Sequence, residues 1–317
     1  DYKVFFEDSN PQLMAFEEMQ QTFSKNDGAS IIIAPKSGNV FTLQTLTLVH
    51  EMTEEAKQTP LSIRIDSLTN FQHTWAEDDD MIVEDLVYDL ADLDPERFAY
   101  IRNVALNEPN LVNQLISPKG DVTVINVSVN LPEGDLTAEV NKITDSVKTL
   151  TDKYKLKYPE HDFYHTGVVL MNYSFASFAE RDFTTIVPFM FLTIIVIMWL
   201  LLKTAVGTFS TVVVIASSIA ATLGIAGWLG MFMSTATVNV PTMVMTLAVA
   251  DCIHVISTML YGMRQGKDKK QALIYSLSLN KIPIFITSAT TGVGFLTLNF
   301  AAVPILADLG NLTAVGV

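Results

Sequence analysis

The sequence predicts two parts of different fold class, an α+β domain over residues 1–182 and an all-α bundle of membrane-spanning helices over residues 183–317. Charge separates the two parts, because the first carries 31 acidic and 14 basic side chains, whereas the second carries 3 and 6. The second part also contains apolar runs of about 20 residues, the length that crosses a bilayer. We therefore expect a soluble acidic domain joined to a membrane domain.

Short apolar runs alternate with amphipathic segments along the first part. The predicted strands are Ala29–Ala34, Leu61–Ile65, Val122–Val129 and Asp162–His165, and the predicted helices are Phe41–Lys57, Pro95–Leu106 and Leu136–Tyr154. Pro95 begins its helix directly after Asp94, a favourable capping residue. Leu111–Ile116 and Val122–Val129 flank a Ser-Pro-Lys-Gly-Asp turn, which predicts a hairpin. Two βαβ-like blocks with antiparallel pairing indicate a sandwich of ferredoxin-like type.

A dense acidic segment interrupts this pattern. Its residues are Glu77, Asp78, Asp79, Asp80, Glu84, Asp85 and Asp89. Such a run of like charges is typical of a solvated, mobile loop. Calcium binding is the alternative, although the regular ligand spacing of an EF-hand is missing. So acidic a surface makes nucleic acid a poor partner.

The apolar runs of the second part predict four spans, with a fifth beginning near Ala307. The spans are about Thr184–Leu202, Gly207–Phe232, Val240–Gly262 and Lys281–Val303. Lys203 lies in the first connection, Arg264, Lys267, Lys269, Lys270 and Lys281 fill or border the third, and the second has no charge. By the positive-inside rule the first and third connections are cytoplasmic. Residues 1–182 are then periplasmic or extracellular in a multi-pass protein of an inner or plasma membrane.

Small residues four positions apart indicate helix faces that pack closely. Gly224 follows Ala216 and Ala220 at this spacing, Gly292 follows Ser288, and Gly294 follows Thr290. Because small side chains let helix backbones approach, we expect Gly224, Gly292 and Gly294 at helix contacts.

Asp251 lies alone at the centre of the apolar run from Val240 to Gly262. An ionised carboxylate at this depth costs about 2.5–3.5 kcal/mol on insertion scales, so an intramembrane acid is a functional candidate. Removal from water favours the neutral form of a carboxyl group, which lets it gain and lose a proton as its surroundings become wet or dry. The alternative is a hydrogen-bonded Asp251 that only joins helices.

Two neighbouring features are candidate partners of this acid. The run Thr287–Gly294 is rich in hydroxyls, and Thr290 and Thr291 lie near mid-depth when counted from the span ends. His254 follows Asp251 by three residues on roughly the same helical face, where it could relay protons or hydrogen bond to another helix. Hydroxyls also bond to the backbone of their own helix, so each threonine can serve either as a partner of Asp251 or only as a bond within its helix.

Motifs for other chemistries are missing. Asp251 and His254 supply too few ligands for a metal, and the single cysteine, Cys252, allows neither a disulfide framework nor a Cys-based zinc site. No hydrolase nucleophile motif or phosphate-binding loop occurs, so we expect neither an enzyme nor a bound cofactor. An intramembrane hydrolase lacks a recognisable nucleophile and base.

Four stretches resemble the MMPL branch of the resistance-nodulation-division (RND) exporters, whose membrane core is also called a sterol-sensing domain. They are Asp1–Pro11, Asp66–Asn70, Leu247–His254, and Thr290–Leu298 followed by Asp308–Gly310. The resemblance implies a protein of twelve spans in two similar halves, each with one large exterior domain. This chain would then be a fragment that holds the first exterior domain and spans two to five, without the C-terminal half.

The resemblance also implies proton-driven export. Asp251 matches the proton-carrying acid of the family, and Ser288, Thr290 and Thr291 match its hydroxyl-bearing stretch. Many members have Gly-Val-Asp-Tyr here, whereas this chain has Val-Ala-Asp-Cys, so one expected hydrogen-bond partner is missing and His254 is a candidate replacement.

The leading hypothesis is therefore an efflux protein that exchanges protons for hydrophobic or amphiphilic cargo, often lipids in this family. Its expected partners are membrane lipids, the cargo and the C-terminal half, with a homo-oligomer or an accessory protein as further candidates. The alternative is a non-transporting lipid or sterol sensor built on the same bundle.

Overall fold

A computed structural model describes residues 5–7, 9–23, 27–77, 80–88, 90, 94–132, 137–231, 234 and 236–317. The chain divides into two compact units. Glu17–Ala176 form one, here called the α+β unit, and Asp1–Phe16 with Ser177–Val317 form the other, here called the helical unit. A mixed α+β part and a helical bundle are thus both present, as composition predicts.

Strands and helices alternate through the α+β unit. The strands are β1 (Asp27–Pro35), β2 (Ser62–Asp66), β3 (Gln72–Glu77), β4 (Asp80–Asp85), β5 (Thr123–Val129) and β6 (His161–Thr166). The helices are α1 (Pro11–Phe23), α2 (Leu43–Ala56), α3 (Pro95–Asn107), α4 (Thr137–Lys157) and α5 (Val168–Arg181), of which α1 and α5 extend past the bounds of the unit. Helix α3 begins as predicted, because the Asp94 carboxylate accepts a hydrogen bond from the Arg97 backbone N–H at 2.7 Å.

One sheet of the α+β unit has the strand order β2-β5-β1-β6, with antiparallel neighbours throughout. Helix α2 connects β1 to β2, and helix α4 connects β5 to β6, so each helix joins two parallel strands that another strand separates. The two predicted βαβ blocks with antiparallel pairing are therefore present. Alternate residues of β1 and β5, such as Ile31 and Ile125, are fully buried against apolar residues of α2 and α4.

The sequence predicted that the whole acidic segment is a loop, but part of it forms a strand. Strand β4 pairs with β3 in a two-stranded antiparallel sheet, and Asp80, Glu84 and Asp85 belong to it. Its acidic side chains stay exposed, so pairing costs them no hydration. Asp78, Asp79 and Asp89 lie outside the described residues.

The predicted hairpin before β5 is confirmed only next to its turn, where Ile116 forms an antiparallel bridge with Thr123 and the Ser117 N–H donates to the Val122 carbonyl at 2.9 Å. The rest of its first arm is not a strand, because residues 111–115 mostly form turns, in which the Leu115 N–H donates to the Leu111 carbonyl at 2.8 Å. Leu111, Leu115 and Ile116 are buried in a second apolar core that includes Ile101 of α3. Leu115 and Ile116 are neighbours in the sequence and are both buried, whereas successive side chains of a strand point to opposite faces.

The helical unit contains helices long and apolar enough to cross a membrane. Four such segments occur within the described residues, namely Val168–Leu202, Ala205–Trp228, Thr237–Arg264 and Lys269–Phe300. The first combines α5, a π-helical turn at Asp182–Ile186 and α6 (Val187–Leu202), and the others contain α7 (Ala205–Trp228), α8 (Val240–Arg264) and α9 (Lys269–Leu296). Helix α10 (Pro304–Gly316) follows near the predicted fifth span.

Helix α9 begins twelve residues before the predicted span. Asp268 caps it by accepting a hydrogen bond from the Gln271 N–H at 2.8 Å. Lys281 therefore lies inside α9 rather than bordering the third connection, and its side chain is exposed. A charged residue within the first half of a long helix does not end it, because a long lysine side chain reaches water.

His161 makes the stability of the α+β unit sensitive to pH. Its side chain is buried, its Nε2 lies 2.9 Å from Thr45 Oγ1, and its Nδ1 has no hydrogen-bond partner among the described residues. Burial lowers the pKa of His161 below its ordinary 6.5, and the Glu160 carboxylate opposes this in part. Between pH 6.5 and the lowered pKa of the folded state, the unfolded chain binds a proton at His161 that the folded chain excludes. We expect the free energy of unfolding to fall by up to about 1.4 kcal/mol per pH unit.

Pulse proteolysis in urea between about pH 8 and pH 5 measures this dependence. His161→Gln keeps a polar partner for Thr45 but cannot titrate, so its stability should fall less steeply with acidity. His165, whose pKa is lowered by burial and by Lys148, is retained in both chains. Equal slopes for the two chains would contradict the assignment to His161.

Candidate functional site

Asp251 lies one residue from the midpoint of helix α8, which has 25 residues. At 1.5 Å per residue the acid is about 16 Å from the start of the helix. The side chain is half-buried, and the rest of α8 carries no other acidic residue. The structure thus places a carboxyl group in the middle of a helix of membrane-spanning length.

Ser288 of α9 contacts this carboxyl group directly. Its Oγ donates a hydrogen bond to Asp251 Oδ2 over 3.3 Å, which is long for a hydroxyl and a carboxylate. Ser288 is half-buried, like its partner. Among the described residues, Ser288 is the one that hydrogen bonds to the Asp251 side chain.

Thr290 and Thr291 differ in where they lie on α9. Thr291 is half-buried on the same face as Ser288, one turn further along, without a hydrogen bond to Asp251. Thr290 is exposed, and its Oγ1 donates to the carbonyls of Ile286 at 2.8 Å and Thr287 at 3.0 Å. The structure therefore brings Ser288 to Asp251, places Thr291 nearby, and turns Thr290 towards its own backbone.

His254 is not brought to the carboxyl group. Its side chain is exposed, whereas Asp251 is half-buried. Its carbonyl accepts hydrogen bonds from Ser257 at 3.3 Å and Thr258 at 2.8 Å, and its ring has no partner among the described residues. A spacing of three residues leaves the two side chains about 60° apart around the helix, enough for one to face the bundle and the other to face outward.

Helix α7 places a polar side chain near α8 that sequence reasoning missed. Cys252 is half-buried, and Thr211, a buried residue of α7, is close enough to influence its thiol. The Thr211 Oγ1 donates to the Gly207 carbonyl at 3.1 Å. Thr208 and Thr222 are also buried on α7. They lie three and eleven residues from Thr211, a spacing that places all three on one helical face and could have indicated a polar, buried face in the sequence.

Close helix contacts occur at other glycines than those predicted. A Cβ atom at Gly224 or at Gly294 would meet nothing within 4 Å, and one at Gly292 would lie 3.9 Å from the Ala314 carbonyl oxygen. By contrast, a Cβ at Gly262 would lie 3.3 Å from the Tyr275 ring, and one at Gly310 would collide with the Phe295 carbonyl. The predicted packing role is therefore not seen for Gly224 and Gly294 within the described chain.

The acids of this unit do not form a metal cluster. In the part of the chain that the structure describes, no three or more His, Cys, Asp or Glu side chains are grouped as metal ligands would be. The chemistry that these side chains themselves provide is proton uptake, proton release and hydrogen bonding.

The family model for the MMPL family matches residues 4–317. The chain belongs to the MMPL family. No curated protein matches it. This MMPL chain is similar, over 98% of its own length, to the crystal structure of a heavy metal efflux pump, with 10% identity and a TM-score of 0.46. The chain covers 38% of that structure.

Replacement of Ser288 tests the contact with Asp251. A hydrophobic carbodiimide modifies protonated carboxyl groups in apolar surroundings, and mass spectrometry of the Asp251 peptide gives the rate. Since Ser288→Ala removes one hydrogen bond to the carboxyl group, we expect that rate to change about three- to tenfold. Thr290→Ala is the matched control, because its hydroxyl bonds only to α9. Equal effects of both substitutions would show that the Ser288 contact has no special weight.

Proposed function

We propose that the full-length protein is a proton-driven exporter of hydrophobic or lipid-like molecules in an inner or plasma membrane, with Asp251 as its proton-carrying group. The observation that supports this most is the half-buried carboxyl group in the middle of α8, held by a hydroxyl of α9. Membership of the MMPL family supports the same proposal. Secondary transport, not an enzymatic reaction, is the activity that follows.

Protonation of Asp251 would change the contact between α8 and α9. An ionised carboxylate only accepts hydrogen bonds, so it takes one from Ser288, whereas a protonated carboxyl also donates one. Loss of the charge also removes the cost of holding an anion in apolar surroundings, about 2.5–3.5 kcal/mol on insertion scales. Either change shifts the balance between two arrangements of the helices.

The membrane potential provides energy on the same scale. Moving one charge through 100 mV is worth about 2.3 kcal/mol. A proton that reaches Asp251 from one side and leaves to the other can therefore bias the helices towards one arrangement. One titrating group is enough for this mechanism, because the charge of Asp251 would act directly on its hydrogen bond with α9.

The α+β unit is proposed to handle the cargo outside the membrane. The first candidate span, Val168–Leu202, begins within this unit and ends in the helical unit, with a π-helical turn at Asp182–Ile186. The cargo-handling residues are therefore joined to the bundle through the backbone of this segment. The proposal requires membrane lipids, a cargo and the C-terminal half that the family implies, and it is compatible with a homo-oligomer or an accessory protein.

Asp251→Asn tests the function directly. The amide has nearly the shape of the carboxyl but cannot carry a proton, so we expect efflux to fall to the level of empty vesicles. Efflux of a fluorescent phospholipid analogue from proteoliposomes with an imposed pH gradient provides the measurement. Asp268→Asn is the matched control, because asparagine also caps helices well and the change in charge is identical.

Lipid binding separates this function from a sensor. An exporter variant with Asp251→Asn should fold and bind the fluorescent lipid while no longer moving it. Efflux at the normal rate by Asp251→Asn would refute the proton-carrying role. Lipid binding without gradient-dependent efflux in the unmodified protein would favour a non-transporting lipid or sterol sensor.

A further inference from the structure

A second polar contact joins α8 and α9 away from the Asp251–Ser288 pair. Ser276 is fully buried, and its Oγ donates to the Val255 carbonyl at 2.6 Å. The amide of Asn280 donates to the Ser276 carbonyl at 2.9 Å and to its Oγ at 3.3 Å. Three groups from two helices thus form one connected set, here called the Ser276–Asn280 clamp.

The clamp is attached to α8 one turn from the candidate proton carrier. Val255 follows Asp251 by four residues, so in an α-helix its N–H donates to the Asp251 carbonyl while its own carbonyl receives Ser276. Hydroxyls and amides in apolar surroundings seldom stay unpaired, because water cannot replace a lost partner there. The clamp therefore holds the first half of α9 firmly against this turn of α8.

Tight packing at the same contact adds to this attachment. A Cβ at Gly262 would lie 3.4 Å from the Ala272 Cβ, so the two backbones approach closely just before Ser276. Ala272 and Ser276 are both fully buried and lie one turn apart on the same face of α9. Small residues at a helix contact are typical of close association within membranes.

The second half of α9 is joined less rigidly to the first. Pro283 lies between Asn280 and Ser288 and has no backbone N–H, so the helix lacks the hydrogen bond to the Leu279 carbonyl. Proline is the commonest cause of a bend within a helix. A first half held on α8, followed by a proline that removes one backbone hydrogen bond, leaves the clamp and Pro283 as the features of α9 that can set where Ser288 meets Asp251.

We propose that Ser276 and Asn280 are positioning residues, which fix α9 on α8 and thereby set the contact between Ser288 and Asp251. The inference rests on the proposed function only in that Asp251 is the group whose state matters; the contact itself is a property of the helical unit. Neither residue touches the carboxyl group, so their influence passes through the placement of Ser288.

Carbodiimide modification of Asp251 in the full-length protein tests the clamp without measuring transport. Ser276→Ala and Asn280→Ala should each change the modification rate in the same direction as Ser288→Ala, by about three- to tenfold. Ser278→Ala is the matched control, since Ser278 is exposed on the same helix and donates only to the Tyr275 carbonyl at 2.8 Å. We expect this control to leave the rate unchanged.

Double variants distinguish positioning from a general loss of packing. If the clamp acts through Ser288, then Asn280→Ala should add nothing to the rate change already present in Ser288→Ala. Additive effects, or no effect of Asn280→Ala alone, would overturn the proposal. Asn280→Ala decides the matter should Ser276→Ala fail to fold, because Asn280 is only half-buried.

The outcome is independent of the proposed export. Normal lipid efflux by Asp251→Asn would remove the proton-carrying role and leave the clamp result valid as a statement about helix placement. Unchanged modification rates in the clamp variants would remove the positioning role while the export proposal stands.

Discussion

The hydrogen bond between Ser288 and Asp251 is the interaction on which the proposed chemistry depends. A carboxyl group in the middle of an apolar helix needs either a proton or a polar partner, and the structure provides a hydroxyl from the neighbouring helix. The bond is long, at 3.3 Å, so a small displacement of α9 breaks or strengthens it. Such a contact responds to the charge of the acid more readily than a short bond within a rigid core.

Local patterns predicted elements well wherever one residue type dictates the geometry. Asp94 before Pro95 located the start of α3, and alternation of buried residues in β1 and β5 matched the predicted strands. Depth in the membrane was harder to predict. Lys281 was taken as the edge of a span, although α9 begins at Lys269. Depth counted from that edge favoured Thr290 and Thr291, whereas the family resemblance also included Ser288, the residue that bonds to Asp251.

The remaining errors arise where tertiary contacts outweigh local composition. Acidic residues of β4 occupy a strand because β3 pairs with it, and residues 111–115 mostly form turns because several of their side chains enter one core. Gly224 has the spacing of a packed face, but a Cβ there would meet no neighbour within 4 Å among the residues that the structure describes. Spacing shows which residues share a face of a helix; it does not show which face another helix covers.

Most hydroxyl groups of α7–α9 follow one rule, from which Ser276 and Ser288 depart. Thr211, Thr246 and Thr290, like most hydroxyls of α7–α9, donate to the carbonyl three or four residues earlier, which satisfies them without linking helices. Ser276 and Ser288 instead donate from α9 to α8. The two contacts lie on either side of Pro283. In the proposed export mechanism, the Ser276 contact would hold the helices together while the Ser288 contact changes with the charge of Asp251.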